Sequence, residues 1–144
     1  MRFNQARFII LAALAGLQAC AAEGAGAGAA TGPSVSDIAG AYALKSFSTT
    51  INGVTTDQLA AGVTLTLTLR RDGATAGRLF IPRHDREPDL EVDMAGTWTV
   101  TGDTVRFDQA ADTFVRQTPF LVFPDGLEGE TTASETTIRV SLTR

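Results

Sequence analysis

From Val63 to Arg70 the chain alternates without a break. Val63, Leu65, Leu67 and Leu69 are aliphatic, while Thr64, Thr66, Thr68 and Arg70 are polar. A period of two predicts a half-buried antiparallel strand, apolar face inward. The period recurs where Leu90, Val92 and Met94 alternate with Asp89, Glu91 and Asp93, and where Val105 and Phe107 share a face. It recurs again where Ile138, Val140 and Leu142 alternate with Thr137, Arg139, Ser141 and Thr143. Further strands are expected at 40–47, 74–81, 97–100, 114–117 and 120–123. Arg71-Asp72-Gly73, Thr101-Gly102-Asp103 and Pro124-Asp125-Gly126 read as turns. Between Thr49 and Gly62 the pattern weakens; Asn52-Gly53 offers a hairpin turn, and 56–61 one turn of helix. No long segment outside the N-terminus has helical periodicity. These strands and tight turns predict an all-β fold, an up-and-down antiparallel β-barrel of about eight strands. Closing such a barrel removes its edges, and the last strand is expected to pair with 40–47. Val63, Leu65, Leu67, Leu69, Trp98, Val100, Val105, Phe107, Ile138, Val140 and Leu142 should point inward.

The N-terminus follows different rules. Arg2 and Arg7 precede an uninterrupted apolar run from Phe8 to Leu17. About ten residues suit the apolar stretch of a signal peptide, whereas a membrane-spanning helix needs about twenty. The run ends in Leu17-Gln18-Ala19-Cys20, which resembles the bacterial lipobox, where a signal peptidase cuts before a lipidated Cys. Cys20 is the only Cys in the chain. A free thiol in a secreted protein would otherwise be an unexplained reactive group. Residues 1–19 therefore read as a lipoprotein signal peptide forming a signal helix. The resemblance implies a diacylglycerol and an N-acyl group on Cys20, and more than one chain is needed for stable anchoring. Ala21 rather than Asp after the Cys leans, by the enterobacterial sorting rule, toward the outer membrane. Residues 20–33, rich in Gly and Ala, read as the lipidated Cys and a disordered leash. Residues 34–144 read as the barrel domain.

Composition narrows the function classes. The chain has 144 residues, 44% hydrophobic and 19% charged, enough for one domain with a sizeable core. Its net charge is −4; removal of residues 1–19 takes away Arg2 and Arg7 and moves it to −6. No basic cluster is present, which argues against nucleic-acid binding. One His and one Cys are too few for a structural zinc site.

Candidate chemistry is sparse. His84 lies in Pro82-Arg83-His84-Asp85-Arg86-Glu87-Pro88, where Asp85 or Glu87 could orient it as a base or metal ligand. A solvated loop of offset charges is the simpler reading, since no second His or Cys accompanies it. No nucleophile elbow or phosphate-binding loop exists. Asp85, Glu87, Asp89, Glu91 and Asp93 recur at every second position. On an extended strand such carboxylates stand about 7 Å apart, too far for two to chelate one ion, so they read as an outward acidic face. No cofactor or metal is expected, and no catalytic residue is assigned. The aromatics Tyr42, Trp98, Phe107 and Phe114 are the candidates for lining a ligand space; an eight-stranded barrel is just wide enough for that, but in a domain of this size side chains filling the interior above a shallow mouth are the favoured outcome.

Several segments together resemble a known family: Gly40-Ala41-Tyr42-Ala43-Leu44, Leu67-x-Leu69-x-x-Asp72-Gly73, Gly96-Thr97-Trp98-x-x-x-Gly102-Asp103-x-Val105-x-Phe107, Leu127-x-Gly129 and Ile138-x-Val140-x-Leu142-x-Arg144. They resemble the small lipocalin-like, calycin-type β-barrel lipoproteins of bacteria. True lipocalins carry Gly-x-Trp on the first strand; here Tyr42 holds that place and Gly96-Thr97-Trp98 sits mid-chain. The resemblance implies a lipid-anchored monomer in the cell envelope and adds fold more than activity. The expected function is binding rather than catalysis. A small apolar ligand is the first candidate. An envelope protein, met by an inhibitor or scaffold barrel with a filled core, is the second.

Overall fold

A computed structural model describes residues 32–83 and 87–144. The segment expected to be a signal peptide, Cys20, nearly all of the expected leash and His84, Asp85 and Arg86 lie outside the described residues.

The chain forms α1 (Val35–Ile38), β1 (Gly40–Ile51), β2 (Val54–Asp57), β3 (Thr64–Leu69), β4 (Ala74–Ile81) and β5 (Leu90–Asp93). It continues with β6 (Gly96–Thr101), β7 (Thr104–Gln109), α2 (Phe114–Gln117), β8 (Phe120–Phe123), β9 (Gly126–Ala133) and β10 (Thr136–Thr143). The strands run in the order β10-β9-β8-β7-β6-β4-β3-β1, and β10 pairs back onto β1, closing an eight-strand antiparallel barrel. Two further short strands prolong it. β2 pairs with the far half of β1 along the edge that β3 uses nearer its start. β5 does the same for β6 along β4. This closed barrel is compatible with a lipocalin-like architecture.

Alternation along the strands sets the core. In β3, Leu65, Leu67 and Leu69 are buried and the threonines between them exposed. Trp98, Val105, Phe107, Val140 and Leu142 are buried as expected, and Val100 and Ile138 pack half-buried against them. β1 needs one correction of phase, because Tyr42 and Phe47 both face inward although one is even and the other odd. A register shift against β10 between Leu44 and Ser46 supplies it: Lys45 bulges out and everything after it changes face.

Both ends of the barrel are plugged. α1 has a capping box, Ser34 with Asp37, and drops the fully buried Ile38 under the start of β1. At the opposite end α2 buries Val115 and stacks Phe114 on Phe47, ring centroids 4.5 Å apart. Residues 114–117 read as a strand by sequence and are a single helical turn instead. The reason is that Phe114 and Val115, adjacent in sequence, both pack on the core, and a strand would send them to opposite faces. Residues 58–62 form a turn rather than a helix, with the Asp57 carboxylate accepting from the Ala60 N–H at 3.0 Å.

The gap between β5 and β6 leaves the Met94 carbonyl without a ladder partner, and two buried side chains take it up. Thr75 Oγ1 donates to it at 2.8 Å and Gln109 Nε2 at 3.0 Å. Opposite that gap, Gly77 sits at φ 152°, where an added Cβ would stand 2.1 Å from the Thr66 carbonyl oxygen.

Candidate functional site

The four aromatics singled out by sequence sit in or against the packed core. Tyr42 is buried, and its hydroxyl donates to the Ile38 carbonyl at 2.5 Å. Burial pushes the Tyr42 phenol above its ordinary pKa, against the opposing pull of the Arg144 charge. Trp98 is buried, with Nε1 donating to the Arg70 carbonyl at 2.8 Å. Phe107 meets Phe120 edge to face at 5.3 Å, and Phe114 is the half-buried partner of Phe47. None of the four lines either groove described below.

The acidic run is spent on local contacts where it is described. Asp89 accepts from the Arg83 N–H, Glu87 pairs with the Arg83 guanidinium at 3.1 Å, Glu91 meets Arg78 at 2.5 Å, and Asp93 accepts from the Ala95 N–H. Among the described residues no three His, Cys, Asp or Glu side chains gather as a metal site would require. None of the described helices is long and apolar enough to cross a membrane.

What the structure assembles is a trough on the outside of the barrel, about 750 Å³ in volume, across the outer faces of β7, β8, β9, β10 and β1. Strand register builds it. One outward row runs Thr104, Leu121, Glu128, Ser141 and Ser46, with the bulged Lys45 beside the last. The next row carries Glu130 and Arg139, and Arg106 and Pro119 line the trough above Leu121. Ser46 and Ser141 are short side chains between longer ones, and they form the floor. Leu121 and Phe123, on the outer face of β8, form an apolar wall and are 46% and 44% exposed. A smaller groove of about 190 Å³ continues past Phe123 to the β8–β9 turn, sharing Lys45, Glu128 and Ser141.

Charge in the trough is uneven. Arg139 Nε donates to Glu130 Oε2 at 2.7 Å, and that hydrogen bond raises the Arg139 pKa still further, fixing the pair as an ion pair. Lys45 and Arg106 make no ion pair among the described residues. Three cations therefore face two carboxylates on a chain whose net charge is −4.

Sequence reasoning missed this surface. Outward residues of a half-buried strand read as solvated face, and only Leu121 and Phe123, apolar at outward positions of an apolar tetrapeptide, carried a signal. No family model, curated protein or solved structure matches this chain.

Proposed function

We propose that this protein is a lipid-anchored binding module of the bacterial envelope that takes its partner on the outside of the barrel and catalyses no reaction. The observation that carries the reading is the contrast between inside and outside. The interior is filled by aromatic and aliphatic side chains, with α1 and α2 over its two ends. The outer wall has a trough with exposed apolar side chains at its edge. What favours this wall is that Leu121 and Phe123 stand together along a concave surface with charged groups beside them, the composition of a ligand site.

Anchoring rests on Leu17-Gln18-Ala19-Cys20. Metabolic labelling with a palmitate analogue should mark the wild type and not Cys20→Ser; equal labelling of both removes the anchor from this reading. The binding surface is tested by amide chemical-shift mapping of the ¹⁵N-labelled protein against an envelope extract of its host. Shifts should concentrate at 104–106, 121–123, 128–130 and 139–141. Perturbation confined to the Trp98 indole and Phe107 would put the ligand inside the barrel and overturn the reading.

A further inference from the structure

We propose that the outer trough binds a single-chain amphiphile with a carboxylate head, the head at Arg106 and the chain along Leu121 and Phe123. This rests on the outer-wall reading above and adds the chemistry of the ligand.

The arrangement along β8 is a strip with a charge at one end. Leu121 and Phe123 share its outer face, Pro119 lines the trough just before the strand, and four residues of strand cover about 13 Å. Arg106 lines the trough from β7, two residues beyond Thr104, which pairs with Leu121. The cation thus stands at the Pro119 end, and the apolar strip runs from there to Phe123 and into the smaller groove at the β8–β9 turn. Arg106 has no carboxylate partner among the described residues, and neither has Lys45 across the trough. An apolar strip ending in an unpaired guanidinium matches an acyl chain ending in an anion.

Charge count sets the head group. Lys45, Arg106 and Arg139 face Glu128 and Glu130, which leaves one positive charge in excess. That suits a monoanion. A dianionic phosphate would meet the Glu128 carboxylate with a charge the trough does not balance. Shape sets the source. The trough is concave and about 750 Å³, within the roughly 300–1,000 Å³ of small-molecule sites. A flat bilayer cannot follow a concave wall, and the mature chain, at net charge −6 without Arg2 and Arg7, is repelled by an anionic lipid surface. The ligand is therefore a single molecule.

The test uses dodecanoate below its micellar concentration, with dodecyl maltoside as the neutral probe, titrated calorimetrically into the mature chain, residues 20–144 carrying Cys20→Ser, which has neither the apolar run of 8–17 nor acyl chains and so needs no detergent. Dodecanoate should bind saturably at one per chain. The maltoside should bind at least tenfold more weakly. Arg106→Glu and Leu121→Asp should each weaken dodecanoate at least tenfold, with circular dichroism unchanged, because both side chains are exposed. Thr66→Asp, outward on the opposite wall, should bind as the wild type does. Absence of saturable binding, equal affinity for the maltoside, or an Arg106→Glu variant that binds normally would overturn the proposal. If dodecanoate fails while envelope extract still shifts residues 121–123, the outer-wall reading stands and its partner is a different one, a protein segment included.

Discussion

The guanidinium of Arg144 lies over the ring of Tyr42, 5.9 Å from its centroid, joining the end of the last strand to the start of the first. The same side chain donates from Nη2 to the Ala39 carbonyl, while the Tyr42 hydroxyl holds the Ile38 carbonyl next to it. Two side chains thus satisfy two successive carbonyls at the end of α1, and they tie that plug to the barrel closure. A cation over an aromatic face contributes about 0.5–1 kcal/mol at exposed sites, and a hydrogen bond about 1. Arg144→Met should therefore lower unfolding free energy by about 1–2 kcal/mol in urea titrations. Tyr42→Phe should cost about 1 kcal/mol. The double variant should lose less than the sum, because each residue supports the contact the other makes. Strict additivity would mean that the two act separately.

The strand phase of β3 gives a sharper contrast. Leu67 is 1% exposed, whereas Thr66 next to it faces solvent. Leu67→Asp should leave the chain unfolded, since an unpaired buried carboxylate costs several kcal/mol. Thr66→Asp should stay within about 0.5 kcal/mol of the wild type. Heteronuclear spectra of the two variants decide it, and similar behaviour in both would mean the period-two register is wrong.

Around α2 the barrel carries polar atoms it does not use. Gln109 Oε1, Thr113 Oγ1 and Thr118 Oγ1 are buried without a hydrogen-bond partner among the described residues. Thr118 is 1% exposed, and an added Cβ on Gly129 would stand 2.6 Å from its methyl carbon. Replacing a buried, unpaired hydroxyl by a methyl of the same shape removes a desolvation cost. Thr118→Val should stabilise the protein by about 1 kcal/mol, and Thr118→Ala, which leaves a hole, should destabilise it. Thermal melts of the two variants should move in opposite directions.

One carboxylate makes the α1 cap pH-sensitive. Asp37 titrates below its ordinary 3.8, chiefly because the Ser34 hydroxyl donates to it, then because the Ser34 backbone N–H does, with the Arg144 charge adding a little. A depressed folded-state pKa gives stability that is present above the unfolded value and lost as pH falls through the folded one. Asp37→Asn should therefore be less stable than the wild type at neutral pH. The two should converge as pH drops below 3.8, and urea midpoints measured along that range would show it. A gap that persists in acid would mean that the charge of the Asp37 carboxylate is not what stabilises the cap.

Fold class, closure and most of the core were legible in the sequence. The reason is that a strand's two faces are written locally: Leu65, Leu67 and Leu69 alternate with Thr64, Thr66 and Thr68, and no distant information is needed to place them. Turns are local too. Asn52 and Gly53 both adopt positive φ and link β1 to β2, as that dipeptide suggested. Other features needed the third dimension. β9 escaped notice because Gly126-Leu127-Glu128-Gly129-Glu130 has a single large apolar side chain. Gly129 faces inward and pairs with Phe120, whose ring fills the space a side chain there would take; an added Cβ would stand 3.0 Å from it. The void belongs to one strand and the side chain that fills it to another. The bulge at Lys45, the folding of 114–117 into a plug and the trough that joins Arg106 to Leu121 and Phe123 share that character. Alternation tells each residue which face it occupies, and only the register between strands decides which residues become neighbours on it.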